Sequence, residues 1–516
     1  MNKIISAVLA GTLAVSAMGV AASAEDVAKV EYSQPFDAYT LGCERYRIPA
    51  IITLNDGSVM AAADMRYNHG SDSPNNIDSL VAFSADGYSP WEYTVVNRFD
   101  DYADGETGED SASFIDCAIA QSKETGRIFV VTDMCTTGGG YLKAQKGTGF
   151  TEINGKKHLL LTTGENTDKL NSFKFYVGDF ENGFAPVCNL SDNSATEYSV
   201  DEEYNLYKND ESLTMNQKGS EGVAIQQNVF YNEAEMCCYL TTYLAMRYSD
   251  DNGKTWSSIK LIASDVKNDN EKFLGIGPGR GFVTNYNGKE RIIFCVYDNN
   301  GLAENVSTVY SDDNGATWQR GNETSVKLAL GKTSEAQIVS LPDGSLRMYA
   351  RNAGDYVAYA DSTDGGVSWS TFKADLNLKA NGNCMVSFIN VDKKINGKNV
   401  ILGSFASNSN ERADGVVMVG LVGDDNVVDW IYTYHVNDGF FAYSCLTQLA
   451  DGNIGYLFED EAAHISYMIL TLADDGTLSE INGNNAEFVG EQSVWHQILD
   501  YLKSILLKFY QMFNMI

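Results

Sequence analysis

The sequence predicts an all-β fold of the β-propeller kind, and three observations predict it. The first is a repeated phrase: YSDDNGKTW at residues 248–256 returns as YSDDNGATW at residues 310–318. STDGGVSW at residues 362–369 keeps Ser, Asp, Gly and Trp at the same offsets, and degenerate forms stand at Ser84–Trp91 and Gly423–Trp430. The starts at 249, 311, 362 and 423 lie 62, 51 and 61 residues apart, room for one four-stranded sheet per repeat. The second is the run of short segments rich in aromatic and β-branched residues, such as RIIFCVY, SLRMYAR and GVVMVGLV, set between Asp-Gly and Asn-Gly turns. The third is that no helical periodicity develops before the C-terminal tail.

The elements follow in order along the chain. Residues 1–24 carry Lys3, the apolar run IISAVLAGTLAVSAMGVA and Ala22-Ser23-Ala24, the pattern of a secretory signal cleaved after Ala24, so the mature protein is expected outside the cell. Only about 22 residues then precede Arg47, too few for an upstream module. Residues 25–490 form the propeller. Between about 140 and 240 the repeat phrase disappears while strand signals persist, which predicts a β-rich insertion. No later apolar run reaches the length of a membrane-spanning helix. In the tail, residues 491–516, the apolar positions from Trp495 to Ile516 fall three or four apart, which predicts an amphipathic helix. Such a helix suits packing on the propeller or self-association, or a hold on a membrane surface or cell-wall partner, rather than a span.

The repeat phrase is turn chemistry. Its Asp accepts from backbone N–H groups, its Gly tolerates positive φ, and its Trp anchors the hairpin by packing. It holds too few oxygen ligands for calcium. The acidic stretch DDYADGETGED at residues 100–110 is richer in oxygens, yet lacks the closing Glu of an EF-hand. A structural calcium is therefore conceivable there, and no cofactor is expected. With 69 acidic against 37 basic residues the net charge is −32, which excludes nucleic acid as a general partner. An anionic ligand would need a local cluster of cations. The nine cysteines, including adjacent Cys237 and Cys238, show neither a dense disulfide framework nor a zinc spacing and read as buried thiols. The five histidines join no metal or nucleophile constellation.

One motif carries chemistry of its own. YRIP, at residues 46–49, sets Arg47 at the head of an apolar strand, where an arginine is ordinarily exposed or paired. Arg-Ile-Pro followed by several Ser-x-Asp-x-Gly-x-Thr-Trp phrases resembles the sialidase (neuraminidase) family over nearly the whole mature chain. The resemblance implies a six-bladed propeller acting on sialylated glycans, glycoproteins or glycolipids. It also implies three arginines on the sialic acid carboxylate: Arg47, Arg351 in SLRMYARNAGDY and Arg412 in SFASNSNERADGVVMVG. Arg280, Arg291 and Arg347 compete by composition only. Guanidinium suits this task because its planar fork of donors stays charged and meets both carboxylate oxygens.

The same resemblance gives Tyr443 in GFFAYSCLTQL as nucleophile, Glu335 in KTSEAQIVSL as its base and Asp72 in GSDSPNNID as acid, with Asp78 as the competitor. Glu335 lies 16 residues before Arg351, the separation of one β-hairpin. Arg66 in ADMRY and Asp116 in SASFIDCAIA resemble sugar contacts, although Cys117 stands where the family often has Pro. The expected activity is that of a secreted exo-α-sialidase. A transferase using the same residues, even onto a hydroxyl of the same sugar, and a sialic-acid-binding propeller without turnover remain as rivals.

Overall fold

A computed structural model describes residues 32–481 apart from 38–39, 68, 104–109, 165, 301–303, 323 and 325–330. The leader at 1–24, the tail at 491–516 and most of the acidic stretch at 100–110 lie outside the described residues.

Among the described residues the strands fall into successive, mostly antiparallel groups, a propeller-like arrangement; the first two groups join in one nine-stranded sheet through the parallel pairing of Ile77 with Ser113, and the third has five strands. The first group runs Tyr46–Thr53, Val59–Arg66, Ile77–Ser84, Glu92–Asn97. The second takes Ser113–Gln121 and Ile128–Cys135, leaves for the insertion, and resumes with Thr242–Ser249 and Lys260–Leu261. The third is Phe273–Ile276, Lys289–Asn299, Glu304–Ser311 and Gln319–Arg320. Its first strand stops at Gly277-Pro278-Gly279, because Pro278 offers no ladder donor, and pairing resumes at Phe282–Tyr286. Three unbroken groups follow, beginning at Thr333, Ser387 and Ser444.

Neighbouring groups are stitched through their first strands. Asn55 N–H donates to Gln121 Oε1 (2.7 Å), Gln337 Nε2 to the Pro278 carbonyl (2.8 Å), Ser340 N–H to Asn390 Oδ1 (2.8 Å) and Leu446 N–H to Ser387 Oγ (3.0 Å). The last group returns to the first, where Thr53 N–H donates to Thr447 Oγ1 (3.0 Å).

The repeat phrases are the turns into the outermost strands. In the first copy Asp251 accepts from Thr255 N–H (2.9 Å) and Thr255 Oγ1 (2.7 Å), while Ser249 Oγ accepts from Gly253 N–H (2.8 Å). Ser311, Asp313, Gly315 and Thr317 repeat the pattern. Glycine is needed for more than its φ of +79°: a Cβ on Gly253 would lie 2.0 Å from the Phe83 ring, and one on Gly315 2.4 Å from the Phe129 ring. Each phrase is thus seated on an aromatic residue of the preceding group, which is why the chain writes it more than once.

The segment from 140 to 240 forms an eight-stranded sheet that includes Lys156–Thr162, Phe184–Asn189, Ala195–Asp201 and Cys237–Cys238. Its core merges with that of the second and third groups through Leu161 and Phe230 against Phe114, Phe129, Tyr243 and Trp318. All nine cysteines are buried and unpaired with one another. In the acidic stretch, Asp101 is 1% exposed and accepts from Ser111 Oγ, Ala112 N–H and Thr137 Oγ1, so that carboxylate organises a turn.

Candidate active site

Three of the first strands depart from regular pairing where the chemistry-bearing residues sit. The register shifts between Arg47 and Ala50, between Ile115 and Cys117, and between Thr333 and Ala336. Ile48 and Asp116 take φ of +61° and +60° at the first two bulges. A bulge rotates the next side chain out of the alternating pattern, and here it turns Arg47, Asp116 and Glu335 toward one cleft of about 390 Å³.

Arg47, Asp72, Asp116, Glu335, Arg351, Arg412 and Tyr443 all line that cleft. The three arginines form its cationic wall. Arg47 is held bidentately by Glu459, from Nε at 3.1 Å and Nη2 at 3.2 Å. Arg351 donates through Nη2 to Asn383 Oδ1 (2.8 Å), and Arg412 through Nη2 to the Asn383 carbonyl (3.2 Å). The Arg47 and Arg412 guanidinium carbons stand 5.5 and 5.2 Å from the Tyr443 ring centre, close enough for cation–π attraction.

Tyr443 occupies the centre. Its hydroxyl donates to Glu335 Oε1 and accepts from Arg351 Nη1 at 2.8 Å, and the same Nη1 reaches Glu335 Oε2 at 2.9 Å. Burial first, and Glu335 second, push the phenol well above its ordinary pKa, opposed by Arg351 and Arg412. The tyrosine is therefore neutral until a base takes its proton, and the base is already in contact.

Asp72 is carried on an exposed loop over the mouth, its Oδ1 2.7 Å from Arg66 Nη1 and 3.6 Å from Arg47 Nη1. Desolvation raises this carboxyl, but Arg66, Arg47 and Arg412 together outweigh it and hold it below the usual carboxylate range. The floor is acidic. Asp116 and Asp133 are both pushed well up, first by burial; the largest charge effect on Asp116 is Asp133, and on Asp133 it is Asp64. Asp133 Oδ1 accepts from Ile276 N–H at 2.8 Å, while its buried Oδ2 has no hydrogen-bond partner. Phe273, Tyr297 and Tyr141 also line the cleft, and the Tyr141 hydroxyl donates to Glu304 beside Lys332.

Arg66, expected as a sugar contact, is fully buried, with its Nη1 2.7 Å from Asp72 Oδ1 at the cleft. Three residues were missed. Glu459, 1% exposed, also accepts from Ile48 N–H (2.9 Å) and Tyr443 N–H (3.3 Å), so it fixes the arginine, the bulge and the Tyr443 backbone together. Its signal was a glutamate at an inward position of the apolar strand GYLFEDE. Asp133, inward-facing in IFVVTDMC, carries the same signal. Asn383 carries none, being one of several asparagines in a loop.

A profile described as BNR repeat-like domain matches residues 226–456. An anhydrosialidase of Macrobdella decora is 34% identical over 80% of this chain and 58% of its own length. Sialidase B of Streptococcus pneumoniae is 30% identical over 86% of this chain and 66% of its own. The chain thus spans less than two thirds of these two curated relatives. Among solved structures, the intramolecular trans-sialidase of Ruminococcus gnavus superposes with a TM-score of 0.75 at 35% identity, covering 84% of this chain and 96% of that one.

Proposed function

Because the chain belongs to the sialidase family, we propose that it is an enzyme that releases terminal sialic acid from glycoconjugates with retained configuration. The observation that carries this reading is the contact of Tyr443 with both Glu335 and Arg351 inside a cleft walled by three arginines. A sialoside bears a carboxylate on its anomeric carbon, so an anionic nucleophile would be repelled there; a neutral tyrosine avoids much of that repulsion. Arg47, Arg351 and Arg412 take the carboxylate in this proposal. As the Tyr443 oxygen attacks the anomeric carbon, its proton passes to Glu335. The glycosidic bond breaks, and the departing oxygen takes the proton of Asp72. Asp72 then withdraws a proton from water, whose oxygen attacks from the face the aglycone left and displaces Tyr443, which takes its proton back from Glu335. The ionised Asp72 of the free site has to gain a proton first, and a substrate carboxylate docking on Arg47 offsets the cationic pull that opposes this.

We read the groups of four strands as six blades around the cleft, and the leader as an export signal, so the enzyme acts outside the cell on sialylated glycans. A second reading is favoured by the relatives named anhydrosialidase and intramolecular trans-sialidase: a hydroxyl of the same sugar, rather than water, displaces Tyr443. The residues and the first step are shared. Mass analysis of a sialyllactose digest separates the two, since the anhydro product is lighter than free sialic acid by one water. Absence of any cleavage overturns both.

A further inference from the structure

Among the described residues ten of the twelve arginines form an ion pair with a carboxylate. The two that form none are Arg412, which lines the cleft, and Arg280, which does not. Arg280 is half-buried, and its Nε is fully buried with no hydrogen-bond partner. In a chain of net charge −32 an enclosed cation without a carboxylate is an exception, and burial makes an uncompensated charge costly.

The backbone explains the enclosure. After the break at Gly277-Pro278, Gly279 and Arg280 run parallel to the first strand of the second group, paired with Ala118 and Ile119. Ile119 is three residues past Asp116 on that strand, about 10 Å, so Arg280 is set below the floor of the cleft. The same two residues pack on the first strands of the first and last groups. A Cβ on Gly279, where φ is +100°, would lie 2.9 Å from Met385 Cε, 3.1 Å from Gln337 Nε2 and 3.5 Å from Cys445 Sγ. The first strands of several groups therefore converge around this segment. Burial lowers the Arg280 pKa, and the Cys445 thiol is the one titratable group that opposes it. That thiol is itself pushed up to about 11, first by burial, so at neutral pH it supplies no counter-charge. The guanidinium stays charged all the same.

We propose that Arg280 anchors a binding site for one small inorganic monoanion of the chloride class, below the cleft and separate from its arginine wall. A single cation calls for a single negative charge, and the crowding around Gly279 restricts the ligand to a small one. Guanidinium is weakly hydrated and pairs well with a weakly hydrated halide, while the acidity of the whole molecule disfavours polyanions. The bound anion supplies the counter-charge that no carboxylate provides, so it stabilises the fold. The site stands whether or not the sialidase reading does.

The test is thermal unfolding of the full chain at constant ionic strength, with sodium gluconate replaced stepwise by sodium chloride or sodium bromide, for wild type and Arg280→Met. Either halide should raise the wild-type melting temperature by about 2–3 °C along a saturable curve, and Arg280→Met should not respond. Wild-type crystals soaked in bromide should show an anomalous peak beside the Arg280 guanidinium, a measurement that stands even if Arg280→Met does not fold. A wild type indifferent to halide, an equal halide response in Arg280→Met, or bromide peaks confined to the outer surface would overturn the inference.

Discussion

At the scale of single residues, the proposed function separates groups in the cleft that react from groups that hold them. Tyr443→Phe removes the oxygen that attacks but leaves the arginine wall, so turnover should fall by about a thousandfold or more while the unsaturated analogue still binds, as calorimetry would record. Near-normal turnover would exclude Tyr443 as nucleophile. Glu459→Gln leaves Arg47 without its counter-charge in a buried site. It should cost about 3 kcal/mol of stability, read by denaturant unfolding, and weaken the analogue. The arginines, Tyr443, Glu335 and Asp72 were legible in the sequence because chemistry restricts their residue types and neighbouring motifs mark them. Glu459 and Asp133 were not, because their importance lies in partners from distant strands: Arg47 lies 412 positions from Glu459. Arg66 was legible as a site residue but not in its placement, since burial behind a loop is a property of the packed chain.

At the scale of elements, bulges and turns do different work. A bulge opposite Asp133 leaves that carboxyl buried beside Asp116, with its pKa raised first by burial. The folded state therefore keeps a proton that the unfolded chain releases near pH 4, and stability is lost as pH rises from there toward the raised folded value. Asp133→Asn does not titrate, so its melting temperature should gain on that of wild type by a few degrees between about pH 4 and pH 7. A constant offset would place the proton elsewhere. In the turns, Gly253→Ala drives a Cβ toward the Phe83 ring at positive φ. It should destabilise by about 1–3 kcal/mol without altering KM, since the turn is on the outer edge of its group. The hairpin nature of the phrase was legible from its Asp, Gly and Trp. Its seat on the preceding group was not, because Phe83 and Phe129 bear no sequence mark of that contact.

At the scale of the whole molecule, the alternating strand pattern disclosed an all-β architecture, and repeat spacing disclosed groups of four strands. The broken first strand of the third group was written in Gly277-Pro278-Gly279 but passed unread, since the same residues also spell an ordinary turn. The amphipathic helix expected of the tail sequence would set two lysines against one aspartate on its polar face, so any hold on lipid would be mainly hydrophobic. Deleting residues 491–516 should leave turnover of a soluble substrate nearly unchanged, because every candidate residue lies before them. Co-sedimentation with liposomes, or oligomer size, should fall; loss of activity would instead make the tail part of the fold.

The stitch between the first and last groups has a kinetic consequence. Thr53 meets Thr447, and Ile48 N–H meets Glu459 at a sequence separation of 411. Contacts that distant are the slowest to form, because closing so long a loop costs entropy before any contact rewards it. A chain emerging from the ribosome holds Arg47 early but has neither its counter-ion nor its nucleophile until the final group is made. On the proposed function the polypeptide stays catalytically mute until the last group meets the first, so activity should appear in one step at the end of folding and give a direct clock for it.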